Sequence, residues 1–328
     1  MRAEGAGDRG RRIAAGLEEI FGWLVRARDR GYERGWLGTA RLRRPVVSVG
    51  NLSVGGSGKT PTVIALGREL QREGISFDVL SRGYRRASKG LAVAQTGAED
   101  AAEIGDEPKL IAARLQAPVL VHPDRFRAGL EGERRFQPQL HLLDDGFQHR
   151  QLARNFDLVL VAPGDLEGRL LPGGRLREPP AALRRAQAVL WVGDEASLEA
   201  ARTRLAALTQ AQIYRGEKRP LSLAPGVSRR PFAFCALARP ESFWATLAGL
   251  GLAPVGRRAF RDHHQYSMRD LRRLQIWAQA AGADGFLTTA KDEANLPAVL
   301  PGLGVVEIEM YIPAMAQVMT SIREACGL

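Results

Sequence analysis

Val46-Val47-Ser48-Val49-Gly50-Asn51-Leu52-Ser53-Val54-Gly55-Gly56-Ser57-Gly58-Lys59-Thr60-Pro61 decides the fold of this chain. A β-branched apolar run enters a glycine-rich turn that closes on Gly58-Lys59-Thr60, and a helix-compatible segment follows from Thr62 to Leu70. A nucleotide phosphate cradle needs that strand–loop–helix order. Glycines let backbone N–H groups converge on phosphate oxygens, the lysine reaches the outer phosphates, and the threonine hydroxyl can ligate Mg²⁺. The stretch therefore nominates Ser53, Val54, Gly55, Gly56, Ser57, Gly58, Lys59 and Thr60 for nucleotide contact, and Thr60 also as a metal ligand. The usual pattern begins with a glycine where Ser53 stands, and Gly55 and Gly56 supply the flexibility instead.

Apolar runs alternate with helical stretches beyond this loop. Phe77 to Leu80 ends in Ser81-Arg82-Gly83-Tyr84, and Pro118 to Val121 ends in His122-Pro123-Asp124-Arg125. Leu140 to Leu143, Leu158 to Val161 and Ala188 to Val192 are further strands, with helices at Asp106 to Leu115 and Arg125 to Glu133 between them. This alternation predicts an α/β fold: a P-loop NTPase-like, mostly parallel sheet with helices on both faces. Ligands in such sheets bind at the carboxyl ends of the strands, where the polar motifs fall. The expected organisation is an N-terminal helical segment (1–45), a nucleotide-binding core (46–212), a linker (213–230) and a smaller C-terminal α/β domain (231–328).

The chain has 328 residues, and 47 basic against 36 acidic side chains give a formal charge of +11. Such a field favours anionic partners. Nucleic acid is disfavoured, because no zinc-finger spacing, RNP-like aromatic motif or recognition-helix pattern occurs. Two distant cysteines, Cys235 and Cys326, give no metal-ligand spacing and fit a reducing compartment. No apolar run is long enough to span a bilayer, and the N-terminus lacks the pattern of a signal peptide. In the first segment Leu17, Ile20, Phe21 and Leu24 make a helical stripe beside Trp23 and Val25. Residues 1–44 carry eleven arginines against six acids, a net +5. Arginines beside apolar aromatics suit a helix lying in a lipid interface, and equally a helix docking on its own domain.

Several polar groups can do chemistry. The strand Leu140 to Leu143 leads into Asp144-Asp145-Gly146-Phe147-Gln148-His149, and a carboxylate there can hold Mg²⁺ directly or through water. Asp and Gly also favour turns, so a capped turn is the alternative. Gly105-Asp106-Glu107-Pro108 opens a helix, where acids serve either as caps or as a metal contact and a base. Asp262-His263-His264 lacks further zinc ligands at useful spacing, and a histidine partnering a carboxylate suits it better. Arg82, Arg125, Arg175 and Arg177 stand at strand ends or in the Leu171–Pro179 loop, offering the cations that phosphoryl transfer demands.

Taken together, the phosphate loop, Ser81-Arg82-Gly83-Tyr84, Gly105-Asp106-Glu107-Pro108, His122-Pro123-Asp124-Arg125, Asp144 to His149, Leu171 to Pro179 and Asp262-His263-His264 resemble the tetraacyldisaccharide 4'-kinase family. This is the lipid A 4'-kinase of Gram-negative bacteria, and the resemblance covers roughly residues 45–295. It implies an enzyme at the cytoplasmic face of the inner membrane. Such an enzyme moves the γ-phosphate of ATP to the 4'-hydroxyl of tetraacyldisaccharide 1-phosphate, giving lipid IVA, with Mg²⁺ as its metal. By motif position, Lys59 and Thr60 match the nucleotide and Mg²⁺ contacts. Asp106 matches the base and His263 its partner, the alignment choosing His263 over the adjacent His264. Glu107, Asp144 and Asp145 match metal or metal-water positions, and Asp145 also counts with the catalytic set. Arg125 and Arg177 match arginines near the reacting phosphate. The implied partners are the acylated disaccharide phosphate and the membrane surface, and the resemblance favours the lipid-interface reading of the first helix.

Overall fold

A computed structural model describes residues 4–328 apart from 85, 87, 222–228, 238 and 263, with backbone alone for 4–14. The chain runs α1 (Glu4–Glu33), β1 (Val46–Asn51), α2 (Lys59–Arg72), β2 (Phe77–Ser81), β3 (Ala92–Ala94), α3 (Ala101–Ile104), α4 (Asp106–Leu115) and β4 (Val119–Val121). It continues with α5 (Arg125–Arg135), β5 (Leu140–Asp144), β6 (Phe156–Val161), β7 (Ala188–Val192), α6 (Glu195–Leu208) and β8 (Gln212–Pro220). Then come β9 (Pro231–Cys235), α7 (Pro240–Gly249), β10 (Gly256–Ala259), α8 (Met268–Ala280) and β11 (Gly285–Thr289). The last elements are α9 (Ala290–Glu293), β12 (Leu303–Val306), β13 (Ile308–Tyr311) and α10 (Met315–Cys326).

These elements fall into two units that interleave along the chain. The first holds residues 1–82, 124–217 and 312–328, and the second 83–123 and 218–311. The sequential boundaries expected at 45, 212 and 230 are therefore not those of the structure, because the chain leaves the first unit after β2 and the C-terminal helix returns to it. Part of the expected linker is extended and paired. Residues 212–220 form β8, whose Gln212 to Gly216 pair in parallel with Ala188 to Val192. Its Arg215, Glu217, Lys218 and Arg219 hide the strand from an apolar-run reading. The rest of that expected linker lies largely at 222–228, outside the described residues.

In the first unit a parallel sheet runs in the order β8–β7–β6–β1–β5–β2. Strands β1, β2, β5 and β6 are buried along their whole length, as expected of parallel strands covered by helices. Helix α2 packs on β1 and β5, α5 on β2, and α10 on β6. Leu52, Phe147, Val159, Leu176, Leu183 and Trp191 belong to one core cluster beside the loop that follows β1. The register sets Val49 opposite Asp144 and Leu80 opposite Leu143. The carboxyl ends of β1, β5 and β2 therefore lie side by side, where an open sheet of this kind binds its ligand.

The second unit holds a parallel sheet in the order β10–β9–β11–β12. Phe232, Phe234, Tyr266, Leu271, Leu274 and Phe286 pack against it. It also holds the antiparallel pair β3–β4 with α3 and α4.

Helix α1 departs from the usual meaning of an apolar stripe. Leu17, Ile20, Trp23 and Leu24 are 48%, 57%, 60% and 53% exposed, whereas Gly22, Val25, Asp29 and Gly31 are buried. The periodicity finds the helix, and the helix then docks through its small and polar side. Among the described residues no helix is long and apolar enough to cross a membrane.

Candidate active site

Asn51, the last residue of β1, organises the phosphate loop. Its side-chain N–H donates to the Ser53 carbonyl at 2.6 Å, and its Oδ1 accepts from Lys59 Nζ at 3.2 Å and from Arg177 Nη2. Gly55 and Gly58 hold φ of +100° and +102°, a conformation that costs glycine little and other residues more. Gly58 also precedes the first residue of α2, and Thr62 Oγ1 donates to its carbonyl at 2.8 Å. Residues 52–54 are strapped to the segment after β6: Val54 N–H donates to the Arg175 carbonyl at 2.8 Å, and Arg177 N–H to that of Leu52 at 2.7 Å. Ser53 is buried, Val54 exposed, and Ser57 to Thr60 are partly exposed at the start of α2. The loop is thus fixed from behind and open in front.

Asp144 and Asp145 leave β5 in different directions. Asp144 is buried and accepts the Ser81 hydroxyl at 3.1 Å. Asp145 has φ of +52°, an uncommon conformation for a residue with a Cβ. The turn that follows lies directly on β1. A Cβ on Gly50 would meet the Phe147 backbone nitrogen at 2.8 Å. Held this way, Asp145 accepts two parallel bonds from Arg177, Nη1 to Oδ2 at 2.8 Å and Nη2 to Oδ1 at 2.7 Å, with Lys59 Nζ 3.5 Å from Oδ1. Burial alone would raise the Asp145 carboxyl. The Arg177 hydrogen bonds and the charges of Lys59, Arg177 and Arg125 outweigh it and hold the group well below the usual carboxylate range.

Arg125 is buried in the first turn of α5, a helix capped by Asp124 accepting from the Phe126 and Arg127 amides. Burial, then the neighbouring charge of Arg82, pushes its guanidinium down to about 10, while Asp145, Asp144 and Asp124 oppose the shift. It stays protonated at neutral pH. His149 is driven the other way from a charged state: burial, then Arg125 and Arg154, pull it down to about 4, so its ring is neutral. Cations outnumber carboxylates around the loop, and the surplus suits a polyanion.

The structure thus brings Lys59, Asp145 and Arg177 into direct contact, sets Asp144 beside them on β5, and keeps Arg125 within electrostatic reach. It also gives parts to residues that the motifs contain but that the sequence left without a role: Asn51 as the shared acceptor, Ser81 on Asp144, and Gln148, whose Nε2 donates to the Asn51 carbonyl at 2.9 Å. A lone polar residue ending a strand carries no periodic signal.

In the second unit Gly105, at φ +93°, caps α4, and Asp106 and Glu107 occupy its first turn with Asp106 buried. His263 lies outside the described residues. His264 has its ring stacked on Phe260 and 3.2 Å from Oδ2 of Asp270, which forms the capping box of α8 with Ser267. Among the described residues, no three metal-ligating side chains gather into a dedicated cage. Mg²⁺ needs none, since one or two carboxylates plus substrate phosphates and waters complete its shell. The Asp144 carboxylate and the Thr60 hydroxyl are hard oxygen donors of that kind.

Fold and cluster together define a P-loop nucleotide-binding α/β protein. The family model described as tetraacyldisaccharide-1-P 4'-kinase matches residues 11–325. A tetraacyldisaccharide 4'-kinase of Koribacter versatilis is 46% identical over 289 residues, covering 85% of this chain and 87% of the relative. One from Geobacter metallireducens is 36% identical over 314 residues, covering 90% and 91%. The crystal structure of LpxK from Aquifex aeolicus in complex with ATP superposes with a TM-score of 0.78 at 27% identity, covering 96% of this chain and 99% of that one. The chain belongs to the tetraacyldisaccharide 4'-kinase family.

Proposed function

We propose that this kinase transfers the γ-phosphate of ATP to the 4'-hydroxyl of tetraacyldisaccharide 1-phosphate, giving lipid IVA, at the cytoplasmic face of the inner membrane. The observation that carries the reading is the convergence of Lys59 and Arg177 on Asp145 and Asn51 at the open side of the phosphate loop. An incoming triphosphate offers these two cations oxygens of higher charge than one carboxylate does. The amides of Gly58 to Thr60 at the start of α2 then line the phosphate chain, and Arg125 adds a fixed charge beside it.

In the transfer, the 4'-oxygen bonds to the γ-phosphorus while the bond from that phosphorus to the β–γ bridging oxygen breaks. The hydroxyl proton passes to Asp106, with His263 as its partner. These two assignments rest on motif position, as do those of Glu107, Asp144, Asp145 and Thr60 as direct or water-mediated donors to Mg²⁺. When bound, the ion neutralises charge on the β- and γ-phosphates.

A lipid acceptor also accounts for α1. Each buried CH₂ holds an acyl chain in the bilayer by about 0.8 kcal/mol, so the kinase must work where its substrate lies. Leu17, Ile20, Trp23 and Leu24 offer an outward apolar face, flanked by the exposed Arg26 and Arg30, for that surface. The test is direct: purified protein with ATP, Mg²⁺ and tetraacyldisaccharide 1-phosphate yields a bisphosphorylated lipid. ATP hydrolysis indifferent to the lipid, with no such product, contradicts the reading and favours a nucleotide switch.

A further inference from the structure

Glu178 follows Arg177 in the chain, is 0% exposed, and has both carboxylate oxygens occupied. Arg28 of α1 donates to Oε1 at 2.6 Å, and Arg185 binds Oε2. The Arg185 guanidinium lies 4.4 Å above the ring of Phe147, the residue seated against Gly50 under the phosphate loop. The other end of the same segment is tied to the same helix. Glu18 of α1 accepts the Leu170 backbone N–H at 3.0 Å and Arg169 Nη2 at 2.6 Å. Residues 169–178 are therefore gripped at both ends by α1, and their inner side is strapped to Leu52 and Val54.

Membrane attachment does not require these contacts, because they are made to residues 169–178 of the chain's own fold and not by the exposed Leu17, Ile20, Trp23 and Leu24. Without Arg28 the buried Glu178 carboxylate keeps Arg185 on Oε2 but loses its partner on Oε1, and a buried oxygen left without a donor is costly. Relaxing it moves the backbone that also carries Arg177. We propose that Arg28 is a positioning residue for phosphoryl transfer, acting through Glu178 to hold the Arg177 guanidinium on the Asp145–Asn51 side of the phosphate loop. Helix α1 is then a component of the catalytic apparatus as well as a surface anchor. The inference rests on the assignment of Arg177 to the reacting phosphate.

Steady-state kinetics on the full chain with vesicle-borne lipid acceptor test it, using Arg28→Met, Arg28→Lys, Arg177→Met and the double variant Arg28→Met/Arg177→Met. Arg28→Met is expected to lower kcat by about tenfold while vesicle binding and the lipid KM stay within about twofold. Arg28→Lys, which keeps one charged donor for Glu178, lowers turnover by about threefold, less than Arg28→Met does. In the Arg177→Met background, Arg28→Met produces no further loss, because the two act as one unit. Parental turnover in Arg28→Met, or losses that multiply in the double variant, overturns the proposal. If Arg28→Met does not fold, the threefold effect of Arg28→Lys, abolished in the Arg177→Met background, carries the same test. Parental turnover in Arg177→Met alone instead removes the role of Arg177, a failure of the underlying reading that this single variant isolates.

Discussion

Arg177→Lys keeps the charge and discards the fork, so it weighs geometry against electrostatics at the centre of the site. Arg177 makes two parallel bonds to Asp145, at 2.8 and 2.7 Å, and a third to Asn51. An ammonium on a flexible stem satisfies one of these acceptors at a time and cannot reproduce the planar arrangement. Each charge-assisted hydrogen bond is worth about 1.5–3 kcal/mol when buried. The Asp145 side chain is 33% exposed, so solvent recovers part of that. The phosphate oxygens that take over these bonds in the transition state ask for the same fork, so a net loss of about 2–3 kcal/mol is expected there, or about a 30- to 150-fold fall in kcat/KM for ATP at saturating lipid. The assay is label transfer from ATP to lipid at varied ATP, with thermal melting as the control for folding. Arg177→Met, which removes the charge as well, falls about tenfold further. An Arg177→Lys enzyme within threefold of the parent would refute the bidentate argument.

Other consequences are equally open to measurement. Gly50→Ala forces the Asp144–Gln148 turn away from β1. It is expected to cost about 2–3 kcal/mol of stability and to lower activity by displacing Asp145, and an unchanged denaturant midpoint contradicts this. Replacing exposed Trp23 and Leu24 together by glutamate leaves the melting temperature nearly unchanged and weakens vesicle binding at least about tenfold, whereas undiminished binding removes α1 from the interface. The His149 ring, held near 4 against about 6.5 in the unfolded chain, stays neutral in the fold at pH values where the unfolded chain binds a proton. Stability is therefore full above about 6.5 and is lost as pH falls toward about 4, by on the order of 2 kcal/mol for a half-buried ring. His149→Gln flattens that part of the unfolding-versus-pH curve, and an unaltered slope shows that another group is responsible.

Much of this was legible in the sequence because the relevant signals are local. The β-branched run before Gly55 and Gly58 announces β1 and its loop, since only glycine adopts those positive φ values cheaply. Asp144 and Asp145 read as a site because an apolar strand delivers them. What stayed hidden depends on partners distant in sequence. Asn51 becomes a hub only once Arg177, 126 positions away, folds onto it. Glu178 looks like any exposed acid until Arg28 and Arg185 close over it. The buried pair of His141 and Asp78, 2.6 Å apart, is invisible within the apolar run Leu140 to Leu143 for the same reason. Strand β8 was masked by its charges, and the stripe of α1 specified a helix without specifying which way it faces. The resemblance to a known family supplied the role of Asp106, which residue chemistry alone left divided between capping and catalysis, and the choice of His263 over His264.

Asp145 holds Lys59 and Arg177, the two cations proposed to receive the phosphate oxygens. Calorimetric titration of ATP without divalent metal, into the parent protein and into Asp145→Asn, examines that competition directly. Removing the competing carboxylate charge is expected to tighten metal-free ATP binding by about tenfold, roughly 1.4 kcal/mol, while turnover with Mg²⁺ collapses. Equal or weaker binding by Asp145→Asn would mean that those two cations do not serve the triphosphate.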